Sequence, residues 1–274
     1  MISMRRAVVA AVTTKSRSDA PIPFVSADEL VGELGRDGRR GALAFDGDGT
    51  LWSGDVGEDF FFGILDSGRV SDVATAEVTR IARERHIDAS GSAAEIARRI
   101  YDAYLHGDFD EERVCEIMTW ICAGWSYADA TAFAIGLVDE AFESRINSAA
   151  KTVIAGARKQ GHEIFVVSAS PRPVVEAAAA VAGIGAPHVL AATAVLEGDR
   201  FATAVHRPIP YGAGKAAALR AALGDLPLLA AFGDNAFDVD MLAMAELPVA
   251  VRPKPRLLER AAAIPGIRQL ADGA

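Results

Sequence analysis

Two regimes of hydrophobic patterning divide the chain. Near the start, Ser26-Ala-Asp-Glu-Leu reads as the capped opening of a short helix ending near Gly35. Ala42-Leu-Ala-Phe45 is then an unbroken apolar run that stops at Asp46-Gly47-Asp48-Gly49-Thr50. Such a run predicts a strand buried on both faces, and a polar, glycine-rich turn at its end is the usual setting of an α/β ligand site. From residue 56 to 149 the pattern is helical. Ser92-Ala-Ala-Glu95 forms a capping box ahead of Ile96, Ile100 and Tyr104; Asp110 precedes Val114, Ile117 and Ile121; Ser126 opens another helix. The stretch predicts a four-helix insertion.

From Ser148 onward, strands and helices alternate. The expected strands are 163–167, 189–192, 228–232 and 248–251, and the expected helices are 149–159, 173–182, 215–223, 237–245 and 257–263. A hairpin is expected around Glu197-Gly198-Asp199. Repeated βα units predict an α/β fold, a Rossmann-like, doubly wound parallel sheet. The expected organisation is a flexible tail over 1–24, a core of 25–55 and 150–274, and an all-α cap over 56–149.

Charge narrows the partners. The net charge is −9, and the first twenty residues are basic (Arg5, Arg6, Lys15 and Arg17 against Asp19), so the rest is more acidic still. An acidic body repels a phosphate backbone, which argues against nucleic acid. Cys115 and Cys122, seven apart, fit neither a disulfide nor a zinc site and read as buried fillers of a reduced protein. The apolar run 7–12 is too short for a signal peptide, and no stretch nears the roughly 20 apolar residues of a membrane span. A cytoplasmic protein without membrane partners is expected.

Ligands of such sheets gather at the carboxyl ends of the strands. Asp46 and Asp48, Ser168, and Gly233-Asp234-Asn235 with Asp238 all stand there, and Lys215 opens a helix at the same edge. Carboxylates crowded into one crevice need a cation, and a sparse set of hard oxygen ligands suits Mg²⁺. Asp46, Asp234 and Asp238 are the candidate metal residues. Ser168, Lys215 and the backbone around Gly49 and Thr50 would hold phosphate oxygens. Asp46 would be a carboxylate nucleophile and Asp48 its acid/base neighbour. A calcium loop counted from Asp46 fails at Leu51 and Gly57, and a P-loop ending at Lys215 fails at Ile209 and Ala216.

At these positions the sequence resembles the haloacid dehalogenase superfamily of phosphatases. The first motif is Asp46-Gly47-Asp48-Gly49-Thr50, the second a strand ending in Ser168, the third Lys215, and the fourth Gly233-Asp234-Asn235-Ala236-Phe237-Asp238. Helices between the first two motifs match the phosphoserine-phosphatase-like branch. The resemblance implies Mg²⁺-dependent hydrolysis of a small phosphorylated metabolite through an aspartyl-phosphate on Asp46. Asp48 would protonate the leaving alcohol and then activate water, and its backbone carbonyl would join Asp46 and Asp234 as a metal ligand, with Asp238 acting through water or by orientation. It also suggests Asp55 or Glu58 as a substrate contact; Trp52 and Asn235 are further candidates, as are Arg98 and Arg99 in the cap. Ala169 and Phe237 stand where phosphoserine phosphatases carry Gly and Asn, which leaves the alcohol open. A receiver-like phosphoacceptor or a phosphotransferase to another alcohol is the alternative.

Overall fold

In the computed structural model, which describes residues 22–271, seven strands form one parallel sheet. Their order is β1 (Phe24–Val25), β9 (Arg268–Leu270), β8 (Leu247–Ala250), β7 (Leu228–Gly233), β2 (Ala42–Asp46), β3 (Glu163–Pro171) and β4 (Val189–Ala192). The central strands are buried on both faces because their apolar residues alternate between two cores. Leu43, Phe45, Ile164 and Val166 join the larger core, whereas Ala42, Ala44, Phe165 and Val167 join the smaller one. Across β2 and β7, Phe45 and Phe232 stack with ring centroids 4.1 Å apart.

Helices cover both faces, as the doubly wound expectation requires. The larger core takes in α1 (Ala27–Leu34), α7 (Ser148–Lys159) and α8 (Arg172–Val181), and the smaller one α9 (Ala213–Leu223), α10 (Val239–Leu242) and α11 (Pro255–Leu258). From β2 the chain goes to β3 and β4 on one side and later returns to β7 on the other. The carboxyl end of β2 therefore lies at a topological switch point, where an α/β sheet opens a crevice.

Between β2 and α7 stand five α-helices rather than the expected four: α2 (Val56–Asp66), α3 (Asp72–Glu84), α4 (Ala93–Leu105), α5 (Glu111–Trp120) and α6 (Tyr127–Leu137). A 3₁₀ turn, Glu140–Arg145, follows them. The buried stripe of α3 is only Ala74, Val78, Ile81 and Ala82, two of them alanines, and so leaves a faint apolar signature. The block leaves and rejoins the sheet side by side. Ser53 N–H donates to the Arg145 carbonyl and Asn147 N–H to that of Leu51, both at 2.9 Å. It is also tied to the antiparallel hairpin β5 (Ala194–Glu197) and β6 (Arg200–Val205). Gly124 N–H donates to the Phe201 carbonyl at 2.7 Å, and Phe201 N–H donates back to that of Trp125 at 3.0 Å.

Other expectations need correction. Residues 1–21 of the expected tail lie outside the described residues, but Pro23 and Phe24 belong to the sheet edge: Gln269 N–H donates to the Pro23 carbonyl at 2.8 Å. The expected helix 237–245 is a 3₁₀ turn, Ala236–Asp238, followed by the single turn α10. The expected helix 257–263 shortens to α11 and a 3₁₀ turn.

Candidate active site

Asp46 ends β2 and opens on a cavity of about 230 Å³. Gly49, at φ +84°, lets the following loop close against β7. A Cβ there would come within 2.2 Å of Asp234 Oδ2. Lys215, in the first turn of α9, is buried, and its Nζ donates to Asp46 Oδ1 at 2.5 Å and to Asp238 Oδ1 at 2.6 Å. Asp238 Oδ2 accepts the amides of Asp234 (3.1 Å) and Asn235 (2.9 Å). Asp238 is thus a fully buried bracket that fixes both the lysine and the loop after β7.

Carboxylate oxygens of Asp46, Asp234 and Asp238 lie within 4.8 Å of one another. Burial raises the Asp46 carboxyl well above its ordinary range, opposed by Lys215 and reinforced by Asp238 and Asp234. Burial also raises Asp234, against the pull of Lys254, whose Nζ sits 2.9 Å from Asp234 Oδ2. Burial alone would lower Lys215, but Asp238 and Asp46 outweigh it and hold the ammonium charged. Clustered hard oxygens whose anionic forms are penalised by burial fit a divalent cation of the Mg²⁺ type.

Asp48 stands apart from that cluster. Its Oδ1 accepts from Trp52 Nε1 (2.8 Å) and Val56 N–H (2.7 Å), and its Oδ2 from Ser170 Oγ (2.7 Å) and Ser168 Oγ (3.3 Å). Ser168 Oγ also accepts Ser170 N–H at 3.0 Å. Ser168, Asp48, Asp46, Lys215 and Asp234 all line the cavity, so the expected groups do converge.

Four expected residues, Gly49, Thr50, Trp52 and Asp238, are not among the lining residues. Trp52 is fully buried beneath the loop and is not among the lining residues; its indole steadies Asp48 instead of facing substrate. The Thr50 side chain is likewise buried off the cavity. Asp55 and Asn235 do line it. Asp55 caps α2 through Glu58 N–H (2.9 Å), and burial, with the charge of Asp48 adding, raises its carboxyl well above the ordinary range. Arg98 and Arg99 point elsewhere, to Asp66 and to the carbonyls of Asp88 and Ser90.

The helical block supplies groups that sequence reasoning passed over. Tyr101 and Tyr104 of α4 and Glu111, Cys115 and Met118 of α5 form the wall opposite the sheet, joined by Tyr211. Tyr101 donates to Glu58 Oε1, and Tyr104 to Glu111 Oε1 at 3.3 Å. Burial, with Glu111 and other negative neighbours, pushes Tyr104 up to about 12. Cys115 is therefore a lining residue and not just filler, and burial keeps its thiol protonated. Lys254 and Ser170 were missed as well, since an isolated lysine after β8 and a second serine near the end of β3 carry no motif.

The profile of the haloacid dehalogenase-like hydrolases matches residues 43–243. An "inhibition of morphological differentiation protein" from Streptomyces azureus is 30% identical over 161 residues, 57% of each chain, so the match spans little more than half of that relative. Among solved structures, a protein of unknown function from Bordetella pertussis Tohama I superposes with a TM-score of 0.68 at 21% identity, over 85% of this chain and 99% of the other. A HAD family hydrolase from Salmonella enterica serovar Typhi gives 0.53 at 16%, over 92% and 68%. A substrate-bound phosphoserine phosphatase gives 0.51 at 17%, over 86% and 94%. At these identities the structural likenesses speak for the fold. Among the described residues no helix is long and apolar enough to cross a membrane. With the four motif positions gathered on one sheet edge and the profile covering most of the chain, the protein belongs to the haloacid dehalogenase-like hydrolase family.

Proposed function

We propose that the protein is a Mg²⁺-dependent phosphomonoesterase acting on a small metabolite, with residues 56–149 as a cap over the site. The observation that carries this reading is the meeting of Asp46 with Lys215, Asp234 and Asp238, beside an Asp48 held by four donors. Asp46, the Asp48 carbonyl and Asp234 would hold Mg²⁺, which supplies charge neutralisation at the phosphoryl oxygens.

Asp46 attacks phosphorus, the ester P–O bond breaks, and an aspartyl-phosphate forms. Lys215, fixed by Asp238, stabilises the transferring group together with Ser168. Asp48 delivers a proton to the departing alkoxide. Both partners of its Oδ1 are N–H groups, which cannot accept. The proton is therefore carried on Oδ2, where the partners are hydroxyls. The Asp48 carboxylate then takes a proton from water as that water attacks phosphorus, breaking the bond to Asp46 and releasing phosphate.

The test is phosphate release from a panel of small phosphomonoesters with Mg²⁺, with EDTA, and with Asp46→Asn. The reading expects turnover that vanishes both with chelator and in the variant. No turnover of any ester, with label from acetyl phosphate persisting on Asp46, would replace it with a phosphoacceptor.

A further inference from the structure

The wall of the cavity has a charge character that the phosphatase chemistry does not require. Six carboxylates line the cavity (Asp46, Asp48, Asp55, Glu58, Glu111, Asp234), and three of them, Asp55, Glu58 and Glu111, face the sheet from the helical side. Among the described lining residues the cations are Lys215 and Lys254, and both sit at the phosphate end, bonded to Asp46 and Asp238 and to Asp234. No arginine or histidine is among the described lining residues.

Three tyrosines, Tyr101, Tyr104 and Tyr211, stand among those acids. Tyr101 and Tyr104 spend their hydroxyl protons on Glu58 and Glu111, and their rings meet edge to face at 5.6 Å. The phenol hydroxyls thus give these two glutamates neutral partners rather than cations. They are also not free to donate to an acid on the substrate. A leaving group bearing a carboxylate would meet Glu58 and Glu111 with no arginine or histidine in the described cavity lining to answer it. An ammonium would meet carboxylates and aromatic rings together, the setting in which cations bind. Val114 and Met118 add apolar surface for its alkyl substituents.

We propose, building on the phosphatase reading, that the alcohol this site releases is a small amino alcohol carrying an ammonium group and no carboxylate, held at the wall formed by Glu58, Glu111, Tyr101, Tyr104 and Tyr211. An adjoining, more open depression shares Tyr104, Glu111, Asn235 and Lys254 with the cavity and adds His106 and Arg256, the latter 3.8 Å from Glu111.

Kinetics on matched esters test this. Phosphocholine is compared with neohexyl phosphate, its uncharged carbon isostere, and phosphoethanolamine with phosphoserine, which differs by a carboxylate. p-Nitrophenyl phosphate serves as the control for the chemistry. The expected kcat/KM ratio is about tenfold or more in favour of the cationic, carboxylate-free member of each pair. Glu58→Gln and Glu111→Gln, which keep an acceptor for the tyrosines, reduce the phosphocholine to neohexyl ratio severalfold. The phosphocholine to phosphoethanolamine ratio separates a quaternary from a primary ammonium. Equal turnover of phosphocholine and neohexyl phosphate, or phosphoserine matching phosphoethanolamine, overturns this inference and leaves the phosphatase intact. Failure to hydrolyse even p-nitrophenyl phosphate removes the reading beneath it.

Discussion

On the sheet side of the cavity, acids are answered by ammonium groups: Lys215 holds Asp46 and Asp238, and Lys254 holds Asp234. On the helix side, Glu58 and Glu111 are answered by the hydroxyls of Tyr101 and Tyr104, with Arg256 no nearer to Glu111 than 3.8 Å. Sheet-side groups are placed by strand ends and backbone amides, so their positions follow from topology. Helix-side groups are placed by how α2, α4 and α5 pack, so they can change without disturbing the sheet. On the proposed function, the difference separates chemistry, which the sheet would fix, from selectivity, which the helices would set.

The largest effect that sharpens this division is at Asp48. Asp48→Asn keeps the shape of its hydrogen-bonded pocket but removes the proposed proton carrier, and should lower kcat by roughly 10²- to 10⁴-fold. A panel-wide loss, whatever the alcohol, is expected from steady-state kinetics; a loss confined to one ester would place Asp48 with the selectivity residues. Trp52→Phe is the next step down. It deletes one of two N–H donors to Asp48 Oδ1 while leaving the Val56 amide, at a cost equivalent to about 1–2 kcal/mol, or about tenfold in kcat with KM little changed. A rise in KM for particular esters instead would return Trp52 to the substrate wall.

The smallest effect is a control far from the cavity. Arg268 on the β9 edge donates to Glu33 of α1 at 2.8 and 2.7 Å, and these hydrogen bonds hold the Glu33 carboxyl below its ordinary range. A carboxyl lowered in the folded state adds stability above its unfolded value, and the contribution is lost as pH falls through the folded one. Glu33→Gln should therefore cost up to about 1 kcal/mol in urea unfolding at neutral pH, with the difference closing as pH falls below the ordinary carboxylate range. Catalysis by the folded variant should match that of the parent protein, because neither side of the cavity is touched.

This division also explains what could be read in advance. Asp46, Asp48, Ser168, Lys215, Asp234 and Asp238 were legible because a buried apolar run ending in a polar turn marks a strand end, and strand ends of a parallel sheet share an edge. Tyr101, Tyr104, Glu111 and Tyr211 were not, because which side of a helix faces a cavity depends on its neighbours. Lys254 follows β8 with no pattern around it. The two-residue β1 and three-residue β9 are too short to display a period of two; β9 is a strand because it pairs with β8, and β1 because it pairs with β9. Trp52, adjacent to the nucleophile's loop, looked like a substrate contact; the tight turn at Gly47 to Leu51 instead folds its indole back under Asp48.

The paired hydrogen bonds between Phe201 and the Gly124-Trp125 segment have a consequence for how such a protein can be re-engineered. The helical block joins the sheet through two adjacent crossings, which suggests a part that can be exchanged by a simple splice. The hairpin that grips it, however, is encoded well after the block, within the second half of the chain. A graft that swaps residues 56–149 alone would strand Phe201 with its backbone groups unmet. The transplantable unit is discontinuous in the gene, the helices together with β5 and β6, and specificity transfer calls for moving both pieces at once.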